Sequence, residues 1–135
     1  MTEKWKLVNL TQIHDARGDL TVVEGSSDIP FEIKRVYYLY NVPCNSFRGG
    51  HAHLDLEQVL FALSGSFRVT LNDGQKTERK WLSDPSEGLY LKNMVWRELD
   101  CFSQGSVLMV LASRHYDEGD YIRDFDDFCM QVSAL

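Results

Sequence analysis

Gln58-Val-Leu-Phe-Ala-Leu-Ser-Gly-Ser-Phe-Arg-Val-Thr-Leu-Asn-Asp-Gly74 decides the fold. Gln58–Ser64 is a short apolar run, Ser64-Gly65-Ser66 reverses the chain, Phe67–Asn72 is rich in β-branched and aromatic residues, and Asn72-Asp73-Gly74 turns it again. Two strands joined by tight turns therefore lie at the centre of the sequence. The same reading extends outward to Trp5–Leu10, Leu20–Glu24, Arg35–Asn41, Thr77–Leu82, Gly88–Leu91, Val95–Leu99 and Val107–Ala112. Asp15-Ala-Arg-Gly18 and Asp84-Pro85 supply further turns. Many short strands with tight turns predict an all-β sandwich or barrel rather than a parallel α/β sheet.

Only the end of the chain, Asp120–Val132, reads as helical. Tyr121, Phe125, Phe128 and Val132 recur there at helical spacing and form a face that packs on the barrel, while Asp124, Asp126 and Asp127 form a solvated acidic face. With 135 residues, 44% hydrophobic content and no linker or low-complexity tract, residues 1–135 are expected to form a single domain. A formal net charge of −6 argues against nucleic acid as a partner. The N-terminus lacks the apolar region of a signal peptide, and no apolar run approaches a membrane span. Cys44, Cys101 and Cys129 are odd in number and widely separated, which suits reduced thiols and a cytoplasmic location.

Arg48-Gly-Gly-His-Ala-His53 carries the chemistry. On a strand, His51 and His53 project from one face about 7 Å apart, so two imidazoles enter one volume. Gly49 and Gly50 let the backbone approach closely just before them, and the Gln58–Ser64 strand can wall the resulting pocket. Two imidazoles in one cavity mean either a metal ion or proton transfer.

Arg48-Gly-Gly-His51-Ala-His53-x4-Gln58-x6-Gly65, with Gly88-Leu-Tyr-Leu-Lys-Asn-Met-Val-Trp-Arg97, resembles the two signature motifs of the cupin superfamily. That resemblance implies a cupin (RmlC-like) jelly-roll β-barrel or sandwich with a short C-terminal helix. Where metal-binding cupins carry a glutamate this chain has Gln58, and where they carry a last histidine it has Arg97. Gln is a weak neutral ligand and a guanidinium has no lone pair to give. Glu57 points to the opposite face of its strand. The expectation is a site with no metal and no cofactor, in which His51 and His53 serve as acid and base near neutral pH and an arginine stabilises developing charge.

Pro30-Phe-Glu-Ile-Lys-Arg-Val-Tyr-Tyr38, the His51/His53 motif, Leu108-Met-Val-Leu-Ala-Ser113 and Tyr116-Asp-Glu-Gly-Asp-Tyr-Ile-Arg-Asp124 together resemble the nucleotide-sugar 3,4-ketoisomerases, the small WxcM-like cupins. The resemblance implies an isomerase that moves the ketone of dTDP-4-keto-6-deoxyglucose from C4 to C3, on the way to 3-amino sugars. It also implies His51 and His53 as the catalytic pair and a homodimer paired through the N-terminal strand Trp5–Leu10. Strand alternation puts Arg35, Tyr37 and Leu39 on one face. If that face lines the pocket, Tyr37 meets a sugar hydroxyl and Arg35 a diphosphate oxygen. Arg48, directly before the glycines, is a better placed phosphate candidate, and Arg17, in the Asp15–Gly18 turn, and Arg97 are placed beside the sugar. Alternatives are a cupin-type nucleotide-sugar epimerase, a metal-dependent cupin enzyme, and a non-catalytic sugar-binding cupin.

Overall fold

The computed structural model describes residues 3–135. The strands are β1 (Trp5–Asn9), β2 (Gln12–Asp15), β3 (Gly18–Thr21), β4 (Arg35–Leu39), β5 (Arg48–His53), β6 (Gln58–Ser64), β7 (Phe67–Asn72), β8 (Thr77–Leu82), β9 (Glu87–Leu91), β10 (Trp96–Asp100), β11 (Val107–Ala112) and β12 (Tyr121–Ile122). One α-helix among the described residues, α1 (Phe125–Ser133), lies at the C-terminal end. Two five-stranded antiparallel sheets form, in the orders β1-β9-β6-β11-β4 and β12-β5-β10-β7-β8, with β2 and β3 as a separate hairpin. The all-β expectation holds: this is a jelly-roll sandwich with a short C-terminal helix.

The inner faces of the two sheets meet over Leu60, Ala62, Phe67, Val69, Leu71, Leu89, Leu91 and Val110, all buried. Burying each Leu, Val or Phe side chain of this layer is worth about 1.5–3 kcal/mol, so it anchors the sandwich. The Val59–Ala62 run is apolar at successive positions because both faces of β6 are covered. Leu60 faces the inner core, while Val59 and Phe61 pack outward with Tyr90 and Leu111 under Ile29 and Phe31. Glu57, just before β6, accepts a hydrogen bond from the Tyr90 hydroxyl on that outer side, as its alternation with Gln58 requires.

Helix α1 covers the outer face of the second sheet, where Phe128 packs with Ala52, Met94, Trp96 and Ile122. Three details differ from the sequence reading. The helix begins at Phe125, five residues later than expected, and Tyr121 belongs to β12, paired with His53 of β5. Asp124 caps the helix by accepting from the Asp126 N–H, and Asp126 and Asp127 sit in the first turn, where the helix dipole favours negative charge. The acidic run thus marks a helix start. Leu20–Glu24 also shifts: its strand ends at Thr21 and pairs with β2 around the Asp15–Gly18 turn.

Candidate active site

Between the inner faces of the sheets, one end of the sandwich is open as a cavity of about 400 Å³. Its floor is apolar, made by Leu60, Leu99, Leu108 and Val110. Its polar wall is Arg35 and Tyr37 from β4, His51 from β5, Gln58 from β6, Arg97 from β10 and Tyr121 from β12, with Arg48 and Arg123 also lining it. Six strands therefore contribute to one volume. All but two of the residues expected from sequence line it directly, His53 and Arg17 being the exceptions.

Glycine sets the geometry of β5. Gly49 has φ +83°, and a Cβ there would meet the Arg97 carbonyl oxygen at 3.0 Å and Leu99 Cδ1 at 2.9 Å. The close approach pairs His51 directly with Arg97, and the ladder then slips by a bulge between Arg97 and Glu98. Bulges re-aim side chains, and this one delivers Arg97 inward beside the histidine.

His51 and His53 lie edge to face, ring centroids 5.0 Å apart, and Ala52 between them points into the helix-covered cluster. His53 is fully buried behind His51, with its ring centroid 4.3 Å from that of Tyr121. Its Nδ1 lies 3.1 Å from Asp120 Oδ2, while its Nε2 is buried without a partner. Burial first, and the Arg97 cation second, hold both imidazoles well below their ordinary value; for His51 the pKa falls to about 3. Both rings are therefore neutral at pH 7, each with one nitrogen free to accept a proton.

Arg97 is buried, and burial lowers its pKa to about 10, which leaves it charged at neutral pH. Its Nη1 donates to Gln58 Oε1, its Nε donates to the Val95 carbonyl at 3.2 Å, and its Nη2 has no protein partner. Gln58 Nε2 in turn donates to the Tyr37 hydroxyl oxygen at 2.8 Å. Tyr37 thus accepts from Gln58 and keeps its own O–H free. The chain Arg97, Gln58, Tyr37 is a fixed array of donors against which an oxyanion can form.

Cupins of the metal-binding kind raise the question of a divalent ion at this position. Gln58 Oε1 is engaged by Arg97, and a buried guanidinium occupies the place of a third ligand. Among the described residues no three His, Cys, Asp or Glu side chains are grouped to hold a metal. His51 and His53 alone are too few donors, and the adjacent cation opposes another. The residues do not fit such an ion.

Arg35 stands over the Tyr37 ring at 5.1 Å, with Nε and Nη2 buried and unpartnered. A guanidinium so held presents a ready fork for phosphate oxygens. Arg48 is exposed at the rim. Arg17 does not reach its own chain's cavity: it sits on the hairpin turn, its side chain 91% exposed, paired with Asp15 at 2.7 Å. Sequence reasoning missed Asp120, Tyr121 and Arg123. Tyr121 and Arg123 line the cavity, with the Arg123 guanidinium 4.1 Å from the Tyr121 ring centre.

A jelly-roll cavity holding paired neutral histidines, a buried arginine and apolar flooring defines a cupin-type enzyme of small-molecule acid–base chemistry. Residues 3–133 match the family model described as FdtA: WxcM-like, C-terminal, and the chain belongs to this family. It is 49% identical over 130 residues to the TDP-4-oxo-6-deoxy-alpha-D-glucose-3,4-oxoisomerase of Aneurinibacillus thermoaerophilus, covering 96% of this chain and 94% of that one. A variant of the 3,4-ketoisomerase QdtA from Thermoanaerobacterium thermosaccharolyticum, solved with TDP-4-keto-6-deoxyglucose, superposes with a TM-score of 0.96 at 43% identity over 99% and 97% of the two chains. The WlaRB TDP-quinovose 3,4-ketoisomerase from Campylobacter jejuni gives 0.92 at 46% identity over 96% and 99%.

Proposed function

We propose that this protein is a sugar 3,4-ketoisomerase that converts dTDP-4-keto-6-deoxy-D-glucose to a dTDP-3-keto-6-deoxyhexose, ahead of transamination to a 3-amino-3,6-dideoxy sugar. The observation that carries the reading is the placement of two facing histidines beside a buried cation with an unpaired N–H, the arrangement an enediolate requires. One imidazole removes the C3 proton, the electrons pass to the carbonyl oxygen at C4, and the resulting enediolate is held by Arg97 and the Tyr37 O–H. A proton then arrives at C4, the hydroxyl proton passes from O3 to O4, and the ketone stands at C3. Oxidation at C3 balances reduction at C4, so the reaction asks for no redox cofactor.

Arg35 and Arg48 are assigned to the diphosphate, with Tyr37, Gln58 and Arg97 at the sugar. The epimerase alternative uses a similar substrate but leaves the carbonyl at C4, and a metal-dependent cupin needs the donors that Gln58 and Arg97 displace. Incubation with dTDP-4-keto-6-deoxyglucose followed by NMR of the product decides among them. A ketone at C3 supports the proposal; an inverted stereocentre with the ketone still at C4 sinks it.

The working unit is proposed to be a homodimer. The β2–β3 hairpin joins neither sheet, its Ile13 and Leu20 are 52% and 55% exposed, and a lone hairpin is marginal in water. Val36, Tyr38 and Tyr40 are likewise exposed on and beside the edge strand β4. A second copy would cover this surface. A place for Arg17 beside the sugar then means the sugar bound by that other copy. The free, partly exposed cysteines and an acidic surface favour a reduced cytoplasmic setting without nucleic acid. No helix among the described residues is long and apolar enough to cross a membrane.

A further inference from the structure

Asp120 is 5% exposed at the end of a 3-10 turn, Glu118–Asp120, far from His53 in sequence yet in contact with it. The segment that follows His53 is bound to this one residue. Leu54 N–H donates to the Asp120 carbonyl at 2.8 Å, Asp55 N–H to Oδ1 at 2.8 Å and Leu56 N–H to Oδ2 at 3.3 Å. Oδ2 also faces His53 Nδ1. An oxygen already accepting from a backbone N–H acts as an acceptor toward the imidazole too, so Nδ1 is the nitrogen that carries the proton.

The geometry points to Asp120 as a positioning residue that acts through His53. It fixes the ring in the Nδ1–H tautomer and leaves Nε2, on a ring packed against those of His51 and Tyr121, as an unpartnered proton acceptor behind the cavity wall. When a substrate proton reaches Nε2 by way of His51, which lines the cavity, the imidazolium rests against the carboxylate, and a proton exchanged with solvent is returned to substrate so that nothing is consumed. Asp120 touches no substrate in this role. It also ties the tautomer to the backbone of 54–56, so ring orientation and loop position are set together.

This inference rests on the ketoisomerase reading for its kinetic consequence, but not for its spectroscopic one. In Asp120→Asn the amide oxygen can still accept from Asp55 N–H, while the amide NH₂ turned toward His53 donates to Nδ1 and forces the proton onto Nε2. We expect kcat to fall by about a hundredfold or more with TDP affinity little changed, as for other wrong-tautomer substitutions. Imidazole ¹⁵N spectra, assigned with His51→Asn and His53→Asn, should show Nε2 bare in the wild type and protonated in Asp120→Asn. A wild-type His53 carrying its proton on Nε2 overturns the inference, whether or not Asp120→Asn folds. So does a folded Asp120→Asn protein with near-normal kcat. Failure of the wild type to move the ketone would instead strike the ketoisomerase reading, leaving the tautomer measurable.

Discussion

His51 and Arg97 face each other directly across the β5–β10 ladder. The pairing puts a cation beside a base, which weakens the base as a proton acceptor in the free enzyme and stabilises the anion produced when it acts. A neutral imidazole of low basicity suffices if the C3 proton is made acidic by a carbonyl whose oxygen meets a buried guanidinium and a tyrosyl O–H.

Replacement of either histidine should therefore affect turnover and not binding. His51→Asn and His53→Asn are each expected to lower kcat by about a hundredfold or more, the usual contribution of a general acid or base, with TDP affinity retained because the diphosphate meets arginines elsewhere. Wild-type turnover in deuterated water should place deuterium on the product carbon. Near-normal rates in both variants would make the pair structural.

The lowered histidine pKa values give the pH response a definite sign. Between about 6.5 and about 3 the unfolded chain binds a proton at His51 that the folded chain refuses, so stability falls as pH drops through that window and is unaffected by His51 above it. The loss approaches about 1.4 kcal/mol per pH unit for each such histidine. Urea midpoints at pH 7, 6 and 5 should fall less steeply for His51→Asn than for the wild type. In the same range the acid limb of kcat/KM should lie below the ordinary histidine value. A limb at 6.5 with parallel stability curves would mean that the rings are not desolvated.

Much of this was legible in the sequence because one face of each strand is committed to the core. The alternation of Arg35, Tyr37 and Leu39 against Val36 and Tyr38 appears in the structure as half-buried against exposed residues. Where periodicity was accidental the reading failed: Tyr121 falls at helical spacing with Phe125 and Phe128, yet lies on a two-residue strand too short to have a period of its own. Asp120 was hidden for another reason. Its partner His53 is 67 positions away, and no local pattern reports a contact of that kind. The Asp15–Gly18 turn that carries Arg17 is present, but Arg17 stands exposed and away from this chain's cavity, and a turn alone does not report what its side chain meets.

The hairpin provides the test of assembly. Ile13→Glu with Leu20→Glu puts two charges on a surface that β2 and β3 leave uncovered, and is expected to convert a dimer into a monomer of 15.6 kDa by sedimentation at micromolar concentration. Arg17→Ala should leave the dimer intact. A wild-type monomer with full activity would remove the case for a second copy, and with it any role for Arg17 at the sugar.

Arg97→His brings the charge and metal arguments into one experiment. In the wild type the guanidinium occupies the third-ligand position and holds Gln58 Oε1, so chelator treatment should leave turnover unchanged. The substitution removes the cation and sets a third imidazole near His51 and His53, a donor set that suits zinc, nickel or cobalt. It should raise affinity for such ions while lowering kcat by at least about tenfold, because the enediolate loses its charged partner. Product NMR on the same protein reports whether Arg97 also governs the face from which C4 receives its proton, through a changed galacto-to-gluco ratio with TDP binding largely kept. If the wild type loses activity to chelator and recovers it with one divalent ion, Arg97 does not do the work assigned to it. An Arg97→His protein with unchanged product, rate and metal affinity would reduce the residue to a structural partner of Gln58.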